Sequence, residues 1–163
     1  MEKLKLRFYP DNILKQKTKP VKEIDQEIRK LIDEMKKIMK ENNGVGLAAN
    51  QVGVNLSLFI AEDKNKILTF INPKIIKLEG EKITLDEGCL SLPKIFGYIK
   101  RYPLVVIEYL DIWGKKRKLK AKGLLAQIIQ HEIDHLEGKL FIEKADKIFK
   151  IEEIDKESLE KQK

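Results

Sequence analysis

Cysteine is almost missing from this chain. Cys89 is the single thiol in 163 residues, so an internal disulfide is excluded and a reducing compartment fits. Histidine is nearly as scarce, with two copies, and tryptophan occurs once. Long apolar runs are missing too; none approaches the ~20 residues of a membrane span. The start, Met1-Glu2-Lys3-Leu4-Lys5-Leu6, has no apolar signal core and no Ser-rich, Arg-rich lead. These absences together predict a cytoplasmic protein. No internal repeat, low-complexity stretch or linker divides the chain, and its length suits one domain spanning 1–163. Hydrophobic content of 42% and charged content of 36% belong to a globular protein. The net charge of +7 is compatible with nucleic acid, but it serves solubility equally well.

What is present is concentrated in Gln130-His131-Glu132-Ile133-Asp134-His135. Four residues apart on a helix, His131 and His135 share one face, and Glu132 lies about 100° round from His131. This is the H-E-x-x-H arrangement, in which two imidazoles hold one metal and the glutamate handles protons. Both histidines of the chain are spent on it. An open catalytic site takes three protein ligands and water, so the third ligand is Cys89 or a carboxylate. One protease class continues to a third His, but Phe141 stands at that place. Glu153 or Glu157 would need the charged tail to fold back into the core. Cys89 is soft, unique and set in the Gly/Pro-bounded stretch Asp86–Pro93, which makes it the better choice.

Around this centre the chain reads as follows. Residues 1–20, with Tyr9-Pro10 and Lys19-Pro20, form an irregular arm. From Asp25, an N-cap, Ile28, Leu31, Ile32, Met35, Ile38 and Met39 recur at helical spacing, and Asn43-Gly44 supplies the stop. Gly44-Val45-Gly46-Leu47-Ala48-Ala49-Asn50-Gln51 allows close approach of a backbone or ligand. It is no phosphate loop, since neither Gly-Lys-Ser/Thr nor G-x-G-x-x-G is present. Leu56–Ile60 and Ile67–Ile71 are two strands joined by a turn at 62–66, the second ended by Asn72-Pro73. Lys74–Leu85 is a further strand pair around Glu79-Gly80. Leu104–Leu110 and Lys115–Ala121 form another, and the second of these carries a run of lysines. That run suits RNA phosphates or a charged edge that blocks aggregation. Gly123 opens the helix of the metal site and Gly138 closes it. Residues 145–163 are a charged tail or short helix.

Three stretches, Gly44 to Gln51, Glu87-Gly88-Cys89-Leu90-Ser91 and Gln130 to His135, resemble in order the three motifs of peptide deformylases. The likeness runs from Tyr9-Pro10 to Gly138-Lys139-Leu140-Phe141. Asn50 stands where the family often has Pro or Thr, and Leu58 where many members have Arg. The resemblance implies an α+β fold: antiparallel sheets packed around a central helix carrying H-E-x-x-H, with a long N-terminal amphipathic helix. It implies removal of the formyl group from N-formylmethionyl peptides and nascent chains. It also implies one divalent metal on Cys89, His131 and His135, usually Fe2+, with Zn2+, Ni2+ or Co2+ as substitutes. Glu132 is then the general base, and the Leu90 N–H and Gln51 amide are oxyanion donors. Gly44, Val45, Gly46 and Gly88 offer backbone to the peptide. Val45, Leu124 and Ile128 line a methionine pocket, and Arg101 contacts the peptide further along. A ribosome contact would use residues 115–122 or the C-terminal tail. Two other readings stay open: an H-E-x-x-H endopeptidase, and a non-catalytic metal-containing ribosome-binding protein. The lack of a fourth Cys or His argues against a closed structural site.

Overall fold

A computed structural model describes residues 3–151. Its first long element is helix α1, Gln26–Glu41. The Asp25 carboxylate accepts a hydrogen bond from the Ile28 N–H at 3.0 Å, which satisfies one of the unpaired first-turn donors. Ile28, Ile32, Met35 and Met39 form its buried stripe. The chain leaves the helix through Asn43, whose φ of 56° is the left-handed conformation that Asn tolerates.

Five antiparallel strands make the larger sheet. They are β1 (Gly46–Ala48), β2 (Leu58–Asp63), β3 (Lys66–Glu79), β6 (Leu104–Leu110) and β7 (Lys116–Lys122), in spatial order β1-β2-β3-β6-β7. A smaller sheet holds β4 (Ile83–Cys89), β5 (Leu92–Arg101) and β8 (Lys147–Lys150), in order β4-β5-β8. Helix α2, Gly123–Leu136, follows β7 directly. No helix among the described residues is long and apolar enough to cross a membrane.

The larger sheet is covered on both faces, and β2 explains how. Leu58 and Ile60 pack with Ile28, Ile32 and Met35 of α1. Phe59 and Ala61 point the other way, into a cluster with Phe70, Val105, Ile107 and the α2 residues Leu125, Ala126 and Ile129. A strand buried on both faces needs apolar residues at consecutive positions, which is why Leu58-Phe59-Ile60-Ala61 does not alternate. A third cluster, with Leu14, Leu92, Ile99, Leu140 and Phe141, seats the smaller sheet and the N-terminal arm.

Several boundaries differ from those read in the sequence. The β2–β3 turn is only Lys64-Asn65, both with positive φ (49° and 67°), the two-residue loop that suits right-handed strand twist. Asn72-Pro73 does not end β3. The strand passes through a register shift between Ile71 and Lys74, where the ladder is already interrupted and the missing proline N–H costs nothing. Asn72 also ties down the N-terminal arm, exchanging hydrogen bonds of 2.8 Å with the Val21 N–H and C=O. The chain turns at Glu79-Gly80, but the expected strand pair does not form. Both edges of β3 are taken by β2 and β6, so β4 joins the other sheet. The stretch Asp86–Pro93 is mostly strand, with only Leu90-Ser91 as the turn. Strand β5 gave no sequence signal, since Gly97 and Pro93 break its pattern. Residues 147–150 of the tail pair with β5 as β8, and residues 152–163, with Ile154 and Leu159, lie outside the described residues.

Phe70 is completely buried, stacked on Phe59 at 4.6 Å and tilted against Tyr109 at 4.5 Å. Phe70→Ala leaves a cavity between sheet and helix, with an expected loss of about 3–5 kcal/mol. Urea unfolding followed by circular dichroism checks it, and a loss below about 1 kcal/mol would contradict this packing account.

Candidate metal centre and active site

Helix α2 begins at Gly123 with φ of 64°, so the chain turns sharply from β7 into the helix. Two turns later His131 and His135 project together, with their Nε2 atoms 3.2 Å apart. Cys89 reaches them from the end of β4, its Sγ 3.2 Å from His135 Nε2. All three donor atoms lie within 4.8 Å of one another. Two nitrogens bound at about 2.0–2.1 Å to one tetrahedral ion stand roughly 3.3 Å apart, so this spacing fits a shared metal. Burial works against a charge on His131, yet Cys89 and Glu87 outweigh it and push that group well up. Burial and the neighbouring His131 push His135 well down.

The orientation of His131 is fixed from behind. Its Nδ1 meets Glu87 Oε1 at 2.7 Å, which turns Nε2 towards Cys89 and His135. Glu87 is in turn gripped by Arg101, through Nε at 2.7 Å and Nη2 at 2.8 Å. Arg101 Nη1 donates to Asp134 at 2.7 Å, and Asp134 accepts from Lys144 at 2.7 Å. Burial by itself would raise the Glu87 pKa, but hydrogen bonds from Arg101 and His131 prevail and hold it at about 2.

Arg101, which the sequence reading assigns to the peptide, is turned to the back of the site instead. It is 4% exposed, and its guanidinium is committed to Glu87 and Asp134 behind the histidines. Glu87 had been given no role of its own, although a signal existed. It precedes Cys89 by two on β4, and residues two apart on a strand share a face.

The other sequence candidates converge. A cavity of about 440 Å³ opens beside the three donor atoms and is lined by Gly44, Val45, Gly46, Gln51, Gly88, Cys89, Leu90, Leu124, Ile128, His131 and Glu132, joined by Phe96. His135 lies deeper, 1% exposed. Gly46 is required by proximity: a Cβ there would come within 2.7 Å of Glu132 Oε2 and of Ile128 Cγ2. Glu132 is buried, its Oε1 has no partner, and its Oε2 is 4.0 Å from His131 Nε2. Burial raises its pKa to about 7, so it is poised to exchange a proton near neutrality. Gln51 accepts from the Ala48 N–H at 2.9 Å and donates to Ser91 Oγ at 3.1 Å and Cys89 Sγ at 3.4 Å. Asn50 is a structural tie, its Nδ2 donating to the His135 carbonyl at 2.6 Å.

Comparison with known proteins decides the class. The family model described as polypeptide deformylase matches residues 3–150. The chain belongs to the polypeptide deformylase family. The peptide deformylase of Syntrophobacter fumaroxidans is 47% identical over 145 residues, covering 86% of this chain and 85% of the relative. The crystal structure of the Thermotoga maritima peptide deformylase superposes with a TM-score of 0.87 at 34% identity, covering 90% of this chain and 100% of that one. That of the Synechococcus elongatus peptide deformylase, solved in complex with actinonin, gives a TM-score of 0.86 at 40% identity over 88% of this chain and 79% of that one. The mixed α+β architecture with antiparallel sheets is that of the deformylase structures. Metal-dependent removal of N-formyl groups is the function of the family, and this chain is an enzyme of that class. The endopeptidase and non-catalytic readings fall away.

Glu87 supplies a pH-dependent prediction. Its folded pKa of about 2 lies below the ordinary 4.5, so its contribution to stability is full above pH 4.5 and is lost as pH falls through 2. Glu87→Gln should unfold at lower urea than the parent at neutral pH, with the difference closing as pH approaches 2. Metal affinity, measured by competition with a chelator, should fall about 10–100-fold. Equal affinity in the two proteins would show that Glu87 does not hold His131 for a metal.

Proposed function

We propose that this deformylase removes the formyl group from N-formylmethionine at the start of newly made chains, using a single catalytic domain that spans residues 1–163. The observation that carries the reading is the convergence of Cys89, His131 and His135 on one point of a cavity that also holds the unpaired carboxylate of Glu132. Cys89, His131 and His135 hold the metal, Fe2+ first, with Zn2+, Ni2+ or Co2+ able to replace it. When bound, the ion supplies Lewis acidity that polarises the formyl carbonyl and makes water a usable nucleophile at neutral pH.

The remaining work falls to the chain. Glu132 takes a proton from the attacking water and delivers it to the departing amine, and a pKa of about 7 suits both directions. The Gln51 amide and the Leu90 N–H donate to the oxyanion. Val45, Leu124 and Ile128 accept the methionine side chain beside the His131 ring. Strands β1 and β4 each lie at the edge of their sheet, which supports pairing of the peptide backbone with Gly44–Gly46 and Gly88 as an added strand. The reaction belongs in the cytoplasm, where nascent chains emerge. Contact with the ribosome through residues 115–122 or the C-terminal tail is part of the same reading.

Glu132→Ala separates chemistry from architecture. It should retain metal and a native circular dichroism spectrum while losing at least 10²-fold in kcat, the lower end of general acid–base contributions. Turnover near the parent value would remove Glu132 from the proton pathway.

Substrate choice follows from the crowding around Gly46 and Gly88. The smallest acyl group fits there, whereas an acetyl methyl overpacks the site at a cost of about 1–3 kcal/mol or more. Formyl-Met peptides should be hydrolysed well, acetyl-Met, formyl-Asp and formyl-Lys peptides poorly, and internal peptide bonds not at all. Formate release and chain cleavage are followed together by enzymatic formate assay and mass spectrometry. Comparable rates on acetyl-Met and formyl-Met peptides would refute the proposed substrate.

A further inference from the structure

The β6–β7 hairpin carries a surface that the deformylase chemistry does not use. On β7, Leu119 and Ala121 pack inward against the α2 cluster. Lys116, Lys118, Lys120 and Lys122 therefore point to the opposite face, about 6.7 Å apart at each step. All four are exposed, and none makes an ion pair with a described residue. Leu110, directly opposite Lys116, packs into the α1 cluster. The lysine row thus lies on the α1 side of the sheet, the face that also carries β3 residues Lys74 and Lys77 on the far side of β6. Two acids flank the row: Glu108 stands directly across from Lys118, and Glu79, held by Lys77 at 2.8 Å, is also within electrostatic reach of Lys120. Strand β7 is the edge of its sheet, so nothing described covers the row from the side.

At the end of the row stands the only tryptophan of the chain, Trp113. It is 74% exposed. It is not a stray residue on a loose loop. Asp111 fixes the turn, accepting from the Trp113 N–H at 2.9 Å, the Lys115 N–H at 3.0 Å and Arg117 Nε at 3.0 Å. The Arg29 guanidinium of α1 lies 5.3 Å from the indole centre. The large exposed area leaves room for a flat partner against the ring.

We propose that this face binds unpaired RNA, with a base stacked on Trp113 and phosphates running along Lys116, Lys118, Lys120 and Lys122. A row of cations with an aromatic platform at its end is the combination that holds single strands without reading sequence. The inference rests on the ribosome contact proposed above and names its chemistry. It does not depend on the deformylase cavity, which is built from β1, β4 and α2.

The test uses the full chain and a twelve-residue oligouridylate. Trp113 is the sole indole, so its fluorescence reports contact directly. Saturable quenching at low salt is expected, with affinity falling on a log–log salt plot at a slope of about −2.8 for four phosphates. Lys118→Gln with Lys120→Gln should flatten the slope to about −1.4. With labelled RNA and anisotropy as readout, Trp113→Leu should bind about tenfold more weakly or worse, and Trp113→Phe should recover most of the loss. The double lysine variant and both tryptophan variants should still hydrolyse a formyl-Met peptide. Failure of that hydrolysis in the parent protein would instead count against the proposed substrate. Absence of quenching at low salt, or a slope indifferent to the lysine pair, overturns the proposal and leaves the row as a guard against edge pairing. Binding to phosphatidylglycerol vesicles without binding to the oligouridylate also overturns it, in favour of an anionic membrane surface.

Discussion

Glu87 is buried between a guanidinium and an imidazole, and each of its oxygens is engaged. Removing such a group from water costs several kcal/mol unless its charge is met at short range. Arg101 meets it with two hydrogen bonds of 2.7 and 2.8 Å, and His131 with one of 2.7 Å. The consequence is geometric as much as energetic. Glu87 and Arg101 belong to the smaller sheet, while His131 and Asp134 belong to α2. The charged chain from Lys144 through Asp134, Arg101 and Glu87 to His131 thereby sets how the small sheet lies against the helix. Cys89, two residues beyond Glu87, is carried to the histidines by that same placement.

The larger sheet supplies a second constraint. Its β1 strand must approach α2 closely enough for Gly46 to leave no room for a Cβ beside Glu132. That approach is fixed by Leu47 on the α1 side and Ala48 on the α2 side, both completely buried. The Glu132 carboxylate is consequently walled by backbone on one side and by Ile128 on another. Such enclosure raises the Glu132 pKa to about 7, because a buried carboxylate without a partner for Oε1 prefers its proton.

Much of the chemistry was legible in the sequence because it is local. His131, Glu132 and His135 sit within one helical turn and a half, and helical periodicity alone brings them together. Cys89 was reachable by elimination, since no other soft ligand exists. The surroundings of Arg101 were not legible because its partners are distant. Glu87 lies fourteen residues away and Asp134 thirty-three, and nothing in the residues around Arg101 reveals that they enclose it. The same limit applies to β3 and β4. Their boundaries depend on which sheet edge is free, a property of the assembled sheets rather than of any window of residues. Phe96 was missed for a related reason: its ring reaches the cavity only because Gly88, opposite it on β4, has no side chain.

The three donor atoms come from two layers of the molecule, and β5, β6 and β7 all lie between Cys89 and His131 along the chain. A helix alone can present the two imidazoles, but it cannot bring the sulfur. The complete trio exists only once the small sheet has docked on α2. Any ion that needs all three donors would therefore depend on tertiary structure, since in the unfolded chain the trio is dispersed. Before docking, the helix would offer an ion two nitrogens at most. A complete trio is thus the mark of a molecule whose interior is finished.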